Sequence, residues 1–306
     1  MGISEKSDVR LEERLNLHRL WLDHAPGGTR ANFSGLTLTD QNLEGKDLRR
    51  VLLCGASLSE ISLSGANLSG ADLTGADLRK ANLAEADLSN ADLTDAKLQS
   101  AWLFRANLSE AKISKTRLDK ANLRDARLLE ARISGSDFSG ADLRGATLNH
   151  STISDCSFSD VNFSGAKLLR ASMMTCRFKQ AHGDGVDFSY LSAQDADFTG
   201  ARFPSAKFYR AVLTRSNFYR ATMVGSNFNE TNLSYAEFSR ASLIDSRFMG
   251  ANLKSTDLTS TNLKGAREMS SQQLISARTS AETTLPSGNP GPYMKGSGAE
   301  RPSMRL

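Results

Sequence analysis

Large apolar side chains recur at every fifth position over most of the chain. From Ala31 to Gly265 the sequence divides into 47 consecutive five-residue repeats without an insertion or deletion. The third place is Leu, Ile, Met or Phe in 45 of these repeats, and the first place is Ala in 28 and another small residue in most of the others. Each repeat of five therefore has a small residue at its first place, a large apolar residue at its third place and mostly polar residues at the other three places.

This period excludes the two ordinary amphipathic elements. At 3.6 residues per turn, a stripe of period five would wind around every side of a helix. A simple strand has two faces that alternate with period two, so it does not fit either. A short straight stretch followed by a corner does fit, with the first and third places pointing inward. The pattern predicts a coiled β backbone.

The phenylalanines indicate how many repeats make one coil. Identical aromatic residues recur at intervals of 20, which is favourable when residue i lies under residue i+20. Four repeats then make one coil, and 47 repeats make almost twelve coils. At about 4.8 Å per coil the rod would be roughly 55 Å long. Two ladders offset by half a coil are expected to face each other: Phe138, Phe158, Phe178, Phe198, Phe218 and Phe238, and Phe188, Phe208, Phe228 and Phe248.

Repeats such as Ala71-Asp72-Leu73-Thr74-Gly75 resemble the motif Ala-(Asp/Asn)-Leu-x-x of the pentapeptide-repeat family. The resemblance extends from Ala31 to Gly265. It implies an all-β fold, a right-handed quadrilateral parallel β-helix. The handedness comes from the resemblance, because periodicity alone does not determine it.

Both ends of the repeat region are expected to be covered, because an open β edge invites aggregation. Residues 1–30 are predicted to form an N-terminal capping helix, from about Ser7 to His24, and a linker. Residues 266–278 are predicted to form a C-terminal cap with a short helix, because Ser270 and Gln273 have capping-box spacing. Residues 279–306 are rich in Ser, Gly and Pro, which predicts a disordered tail. The expected apolar side of the first helix comprises Leu11, Leu15, His18, Trp21 and Leu22.

No catalytic, cofactor-binding or metal-binding residue is predicted. A solenoid filled by Leu and Phe offers no pocket in which polar groups converge. Cys156 and Cys176 occupy first places one coil apart, and we interpret them as small buried apolar groups. Gly183 and Ala193 break the third-place rule within one coil. They either leave a cavity or exchange volume with their larger neighbours, and close packing favours the exchange.

Charge bears on the class of partner. The repeats contain 28 basic and 26 acidic side chains, and the whole chain has a net charge of +4. The best-understood members of the family that this chain resembles imitate DNA with a strongly acidic rod, which binds type II topoisomerases. An even balance of basic and acidic side chains disfavours that function.

The coil 201–220 is basic and contains Tyr209 and Tyr219, a mixture that suits nucleic acid. Its charges point to several sides and alternate in sign along one ladder, so nucleic acid is also disfavoured.

Two groups of exposed aromatic and arginine residues suggest a protein interface. Trp102 and Phe104 both point outward, and Arg124 is expected one coil above Phe104. Trp next to Arg is the composition of an interaction hot spot. Tyr190 is expected to stack between two guanidinium groups of its ladder. The candidate interaction surface comprises Trp102, Phe104, Arg105, Arg124, Arg170, Tyr190, Tyr209, Arg210 and Arg220.

The sequence therefore predicts a non-enzymatic interaction scaffold of a bacterial-type cytoplasm whose protein partner is unknown. No apolar run approaches the length of a membrane span, and the first 30 residues lack the apolar segment of a signal peptide. Three cysteines fit a reducing compartment. The family resemblance suggests a homodimer through an end, which the terminal helices would obstruct. Two alternatives remain: a DNA mimic of the resistance or immunity type that acts on a type II topoisomerase, and a weak binder of nucleic acid or anionic surfaces through the coil 201–220.

Overall fold

The computed structural model describes residues 4–39 and 41–302, without the side chains of residues 4–10. The chain forms two compact units, an N-terminal unit (1–137) and a C-terminal unit (138–306). Each contains a right-handed quadrilateral parallel β-helix. The helices and strands are α1 (Ser4–Leu22), β1 (Lys112–Ser114), β2 (Arg132–Ser134), β3 (Thr152–Ser154), β4 (Ser172–Met174) and α2 (Ser271–Ser276).

Four repeats make one coil, as the phenylalanine spacing predicts. Second-place residues pair in parallel with the residue 20 positions later, as in Asn67 with Asp87 and in β1 with β2. The inter-coil hydrogen bonds follow one rule. The N–H groups of third and fifth places donate to the next coil, as from Leu73 to the carbonyl of Asp92 at 2.8 Å. Those of second places donate to the previous coil, as from Asp72 to the carbonyl of Val51 at 3.0 Å. Most strands are single paired residues because each side of the square is short.

The corners depend on left-handed backbone at the fifth place. Every described fifth-place residue from Gly35 to Gly265 has a positive φ, including charged residues such as Lys80 (56°) and Arg210 (55°). An L-residue in this conformation costs roughly 1–2 kcal/mol. Neighbouring hydrogen bonds compensate: in the repeat that ends at Asn90, the N–H of Ser89 donates to Oδ1 of Asp87, 3.0 Å away. Such Asx turns explain why Asp and Asn recur at the second place.

Leucine fills most of the N-terminal unit and phenylalanine fills much of the C-terminal unit. The two predicted phenylalanine ladders are present. Phe158 and Phe178 stack with ring centroids 5.4 Å apart, and Phe218 and Phe238 with centroids 4.4 Å apart. Across the interior the two ladders meet edge to face, as in Phe208 and Phe218, whose centroids are 6.3 Å apart. Both arrangements are favourable for aromatic quadrupoles.

Most hydroxyl groups in the buried first places donate to a carbonyl of the preceding coil. Thr231 Oγ1 donates to the carbonyl of Phe208 at 2.6 Å, and Ser246 Oγ donates to the carbonyl of Met223 at 2.8 Å. In both cases the acceptor lies 23 residues earlier. Ser and Thr can therefore replace Ala at this place without leaving an unpaired buried group.

The coil with Gly183 and Ala193 contains no space for a ligand at Gly183. A Cβ atom at that position would lie 2.6 Å from the backbone nitrogen of Ser164 and 2.7 Å from the carbonyl carbon of Phe163. The rings of Phe163 and Phe203, two coils apart, approach each other to 6.1 Å between centroids. Neighbouring rings thus occupy the volume that a Leu or Phe would have filled.

The N-terminal helix covers the first coil. It spans Ser4–Leu22, against the predicted Ser7 to His24. Leu11, Leu15 and His18 are buried, which confirms the apolar side for these residues, whereas Trp21 and Leu22 are only half-buried.

His18 joins α1 to the first coils through both ring nitrogens. The backbone N–H of Ala31 donates to Nδ1 (3.1 Å), and Nε2 donates to the carbonyl of Arg49 (2.9 Å). This arrangement requires a neutral ring. Burial lowers the pKa of His18, and the bond to Arg49 opposes that shift only partly.

The C-terminal helix has the predicted capping box. Ser270 Oγ accepts from the backbone N–H of Gln273, and the side chain of Gln273 accepts from the N–H of Ser270. Gln273 also donates to the carbonyls of Phe248 and Ala251, at 2.7 and 2.9 Å. These bonds attach α2 to the last coils.

Residues 279–302 do not form the disordered tail that their composition predicts. Thr283 and Leu285 are buried, and the backbone N–H of Leu263 donates to the carbonyl of Thr284 at 2.8 Å. The exposed β edge of the last coil supplies unpaired backbone groups. Thr283, Thr284 and Leu285 reproduce the first three places of a repeat and pair with that edge. Residues 303–306 lie outside the described residues.

Candidate interaction surface

Trp102 and Phe104 belong to one repeat of the N-terminal unit. Trp102 is 57% exposed and Phe104 is half-buried. The guanidinium carbons of Arg105 and Arg124 lie 4.8 and 5.9 Å from the centroid of the Phe104 ring. The structure therefore brings Arg105 and Arg124 onto Phe104, which lies two residues from exposed Trp102 in the same repeat. We call these four residues the Trp102 cluster. Cation–π contacts of this kind contribute about 0.5–1 kcal/mol at exposed sites.

The two arginines of the Trp102 cluster have weak acidic partners. Arg105 lies 3.8 Å from Glu85, and Arg124 lies 3.5 Å from Asp125. All four side chains are well exposed, so each pair contributes little, about 0–1 kcal/mol. Both guanidinium groups can therefore exchange these carboxylates for those of a partner.

The second predicted group lies in the C-terminal unit. The guanidinium of Arg170 lies 5.4 Å from the centroid of the Tyr190 ring, as expected from their positions one coil apart. Tyr190 meets Tyr209 edge to face, with centroids 5.6 Å apart. The second predicted guanidinium, that of Arg210, interacts with the Tyr190 side chain but does not stack on its ring. Arg210 covers the ring of Tyr209 instead, at 5.1 Å.

An acid that the sequence analysis missed explains the position of Arg210. Glu230 accepts from Arg210 Nε at 2.6 Å and from the Tyr209 hydroxyl at 3.1 Å. The bond from Arg210 lowers the pKa of Glu230, and desolvation together with the bond to Glu230 raises the pKa of Tyr209. Glu230 is 20 residues after Arg210, so the ladder rule itself could have identified it.

Arg220 stacks on Tyr219 at 5.1 Å, but its repeat belongs to another side of the coil. It does not join the group of Tyr190 and Tyr209. Among the described residues of the C-terminal unit, most other cations have no ring beneath them. Ion pairs occur, as between Arg215 and Asp195 at 2.7 Å.

The buried cysteines fit the structural interpretation. Hydrogen bonding to Cys156, together with burial, raises the pKa of the Cys176 thiol. A protonated, buried thiol is a poor nucleophile and a poor metal ligand. Within the residues that the structure describes, no group of three or more His, Cys, Asp or Glu side chains could hold a metal ion.

Two profiles of pentapeptide repeats match the chain. The profile "Pentapeptide repeats (8 copies)" matches residues 31–70, 71–109 and 103–140, and the profile "Pentapeptide repeat region" matches residues 151–228 and 191–267. The chain belongs to the pentapeptide-repeat family. No curated protein sequence shows significant similarity to it.

Solved structures of pentapeptide-repeat proteins resemble the chain. HetL, which is involved in heterocyst differentiation regulation in the cyanobacterium Nostoc sp. strain PCC 7120, is 29% identical over 77% of this chain and 91% of its own, with a TM-score of 0.31. QnrB1, a plasmid-mediated fluoroquinolone resistance protein, is 18% identical over 57% of this chain and 93% of its own, with a TM-score of 0.34. A thylakoid-lumen protein of Arabidopsis thaliana is 30% identical over 39% of this chain and 70% of its own, with a TM-score of 0.16.

Pentapeptide-repeat proteins are generally structural or interaction scaffolds. The coil explains this tendency, because its interior is used for packing and only its outward places remain for recognition. In the part of this chain that the structure describes, no helix is long and apolar enough to cross a bilayer.

Proposed function

We propose that this pentapeptide-repeat protein is a non-enzymatic scaffold that binds a protein partner through the Trp102 cluster. The observation that carries the proposal is the exposure of Trp102 beside a Phe104 ring covered by two arginines. Trp and Arg, together with Tyr, are enriched among interaction hot spots. We place the protein in the cytoplasm, where a reducing environment suits its three thiols.

The rigidity of the coil supports this function. The backbone of the repeat 101–105 is hydrogen-bonded to the coils on both sides, as in Trp102 N–H to the carbonyl of Ala81 at 2.9 Å. Buried Ala101 and Leu103 anchor the repeat from inside. A surface held in this way loses little conformational entropy when a partner binds, which favours affinity.

The distribution of charge argues against a DNA mimic directed at a type II topoisomerase. When charges are assigned to the four sides of the coil by register, the most acidic side of the N-terminal unit has two basic and three acidic residues. No side of residues 138–265 is net negative. Mimicry of DNA requires a dense negative field along the rod.

A homodimer through an end is also disfavoured. The first coil is covered by α1 through His18, and the last coil is covered by α2 and residues 279–302. An end-to-end dimer would have to displace these segments. We therefore propose a different protein as the partner.

Affinity purification from the native host, followed by quantitative mass spectrometry, tests the proposal. The wild type is compared with Trp102→Ala and with Tyr235→Ala, which removes a 54% exposed aromatic residue from the C-terminal unit. We expect a partner that is lost with Trp102→Ala and kept with Tyr235→Ala, and that binds the purified protein directly. Equal recovery with both variants would reject the Trp102 cluster as the interface.

A further inference from the structure

One side of the C-terminal unit differs from the other three in its charge. This side consists of the repeats that begin at residues 146, 166, 186, 206, 226 and 246, and we call it the basic face. Parallel pairing holds its second places in one ladder, from Lys167 through Asp187, Lys207 and Asn227 to Arg247. The fifth places form a second ladder beside it, which includes Arg170, Tyr190, Arg210 and Glu230.

The whole charge excess of residues 138–265 lies on this face. These residues contain 14 basic and 11 acidic side chains, a net charge of +3. The basic face has five basic and two acidic side chains. On each of the other three sides, the number of basic side chains equals the number of acidic side chains: two and two, four and four, and three and three. Each of these sides is therefore neutral. The excess is therefore concentrated in one stripe, although the coil 201–220 alone spreads its cations over all four sides.

Most cations of the basic face have no acidic partner. Among the described residues, only Arg210 of the five takes part in an ion pair, with Glu230 at 2.6 Å. Asp187 lies between Lys167 and Lys207 in the ladder, but its Oδ1 accepts the backbone N–H of Ser189 at 3.0 Å. That carboxylate is used in the corner of its own repeat. The exposed ammonium and guanidinium groups remain open to an external anion.

Arg170 is the most strongly oriented of these open cations. Its guanidinium lies on the ring of Tyr190, which is itself held edge to face against Tyr209. A guanidinium on the face of a ring keeps its N–H groups available for hydrogen bonds in its own plane. These groups match a carboxylate in a two-point hydrogen bond, and their orientation before binding reduces the entropy lost.

We propose that the basic face of the C-terminal unit binds an acidic segment of a partner protein. The proposal does not depend on the Trp102 cluster, which belongs to the N-terminal unit. The cations of each ladder recur every two coils, about 10 Å apart at 4.8 Å per coil. An acidic segment can place carboxylates at such intervals and neutral residues opposite Asp187 and Glu230.

A nucleic acid fits the same face less well. A continuous phosphate backbone would meet the two acids of the face as well as its cations, and high affinity for nucleic acid requires many phosphate contacts. Single strands also bind by stacking bases on open aromatic faces. Here Arg170 and Arg210 already cover the rings of Tyr190 and Tyr209.

Fluorescence anisotropy with the full-length protein tests the proposal at low salt. The probes are a labelled polyglutamate peptide and a labelled single-stranded oligonucleotide of equal charge. The test variant is Lys167→Glu/Arg170→Glu. The control is Arg240→Glu/Lys264→Glu, which makes the same charge change at exposed positions on two neutral sides of the same unit. Thermal unfolding monitored by circular dichroism verifies that both variants are folded.

We expect the test variant to bind the peptide at least about tenfold more weakly and the control within about twofold of the wild type, because close charge pairs dominate such contacts. Arg170→Lys keeps the charge without the planar fork and is expected to lie between the wild type and the test variant. Absence of wild-type binding to the peptide, or an equal loss in test and control variants, would overturn the proposal. Tighter binding of the oligonucleotide that depends on Lys167 and Arg170 would overturn the assignment to an acidic protein.

Discussion

The N-terminal and C-terminal units build the same coil from different interiors. Leu83, Leu103 and Leu123 are typical third-place residues of the first, whereas phenylalanine rings in two facing ladders occupy much of the second. The hydrogen-bond offsets and the left-handed corners are the same in both. The backbone path therefore depends on the period and the corners, and either side chain can stack at intervals of 20 residues. What changes is the amount of apolar surface buried and the sensitivity to changes of volume.

The largest effect is expected when a ring is removed from the middle of a ladder. Phe198 stacks between Phe178 and Phe218, with centroids 4.5 and 4.6 Å away. Phe198→Ala should lower the free energy of unfolding by about 3–5 kcal/mol, because it loses ring burial and leaves a cavity. Leu103→Ala in the N-terminal unit should cost about 2–4 kcal/mol. Denaturant titration of both variants makes the comparison, and a smaller loss for Phe198→Ala would show that stacking adds nothing to burial.

Replacing the third-place glycine Gly183 with a larger residue should destabilise the C-terminal unit. Gly183→Ala places a Cβ against the backbone of Phe163 and Ser164. We expect a loss of about 1–3 kcal/mol from overpacking. The control is Gly165→Ala, in an open corner at positive φ, where conformational strain alone costs roughly 1 kcal/mol. If thermal unfolding showed Gly183→Ala to be neutral, the backbone of Phe163 and Ser164 would have room to move away from the new Cβ atom.

A smaller effect is expected from the buried hydroxyls. Thr231→Val removes the bond to the carbonyl of Phe208, which still accepts the backbone N–H of Ala211 at 3.0 Å. Because the acceptor keeps one partner, the loss should be about 0.5–1.5 kcal/mol. Urea titration can resolve this difference. A loss above about 3 kcal/mol would indicate that the hydroxyl has a further role in holding the coil.

The smallest effect is local and depends on pH. The pKa of His18 is lowered by burial, so the unfolded N-terminal segment binds more protons than the folded one below about pH 6.5. The stability of the helix cap should therefore be full above that pH and should fall as the pH is lowered toward the folded pKa. His18 stacks on Trp21 with centroids 5.5 Å apart, so Trp21 fluorescence in a Trp102→Phe background reports the change.

The matched control for this effect is His150→Gln, because His150 lies at an outward corner of the C-terminal unit. It should leave the pH profile of Trp21 fluorescence unchanged. His18→Gln should remove the dependence below about pH 6.5. A profile that survives His18→Gln would assign the dependence to another group.

The candidate surface was only partly predictable. The ladder rule correctly placed Arg124 over Phe104 and Arg170 over Tyr190, because the two residues of each pair are 20 positions, or one coil, apart. It did not predict that Arg210 covers the ring of Tyr209, the residue before it, although Glu230 is a ladder neighbour of Arg210. Register determines where a Cα lies, but several rotamers of an exposed arginine are compatible with that position. Local partners choose among them.

The sequence by itself determined the coil, its four repeats per turn, its inward places and the facing ladders of phenylalanine. These features follow from one spacing repeated many times, so that each coil imposes the same constraint on the next. Only the tertiary structure decided how Phe163 and Phe203 fill the space at Gly183, and how residues 279–302 pair with the last coil. Each of these features occurs once and depends on shape and unpaired backbone groups, which no repeating pattern records.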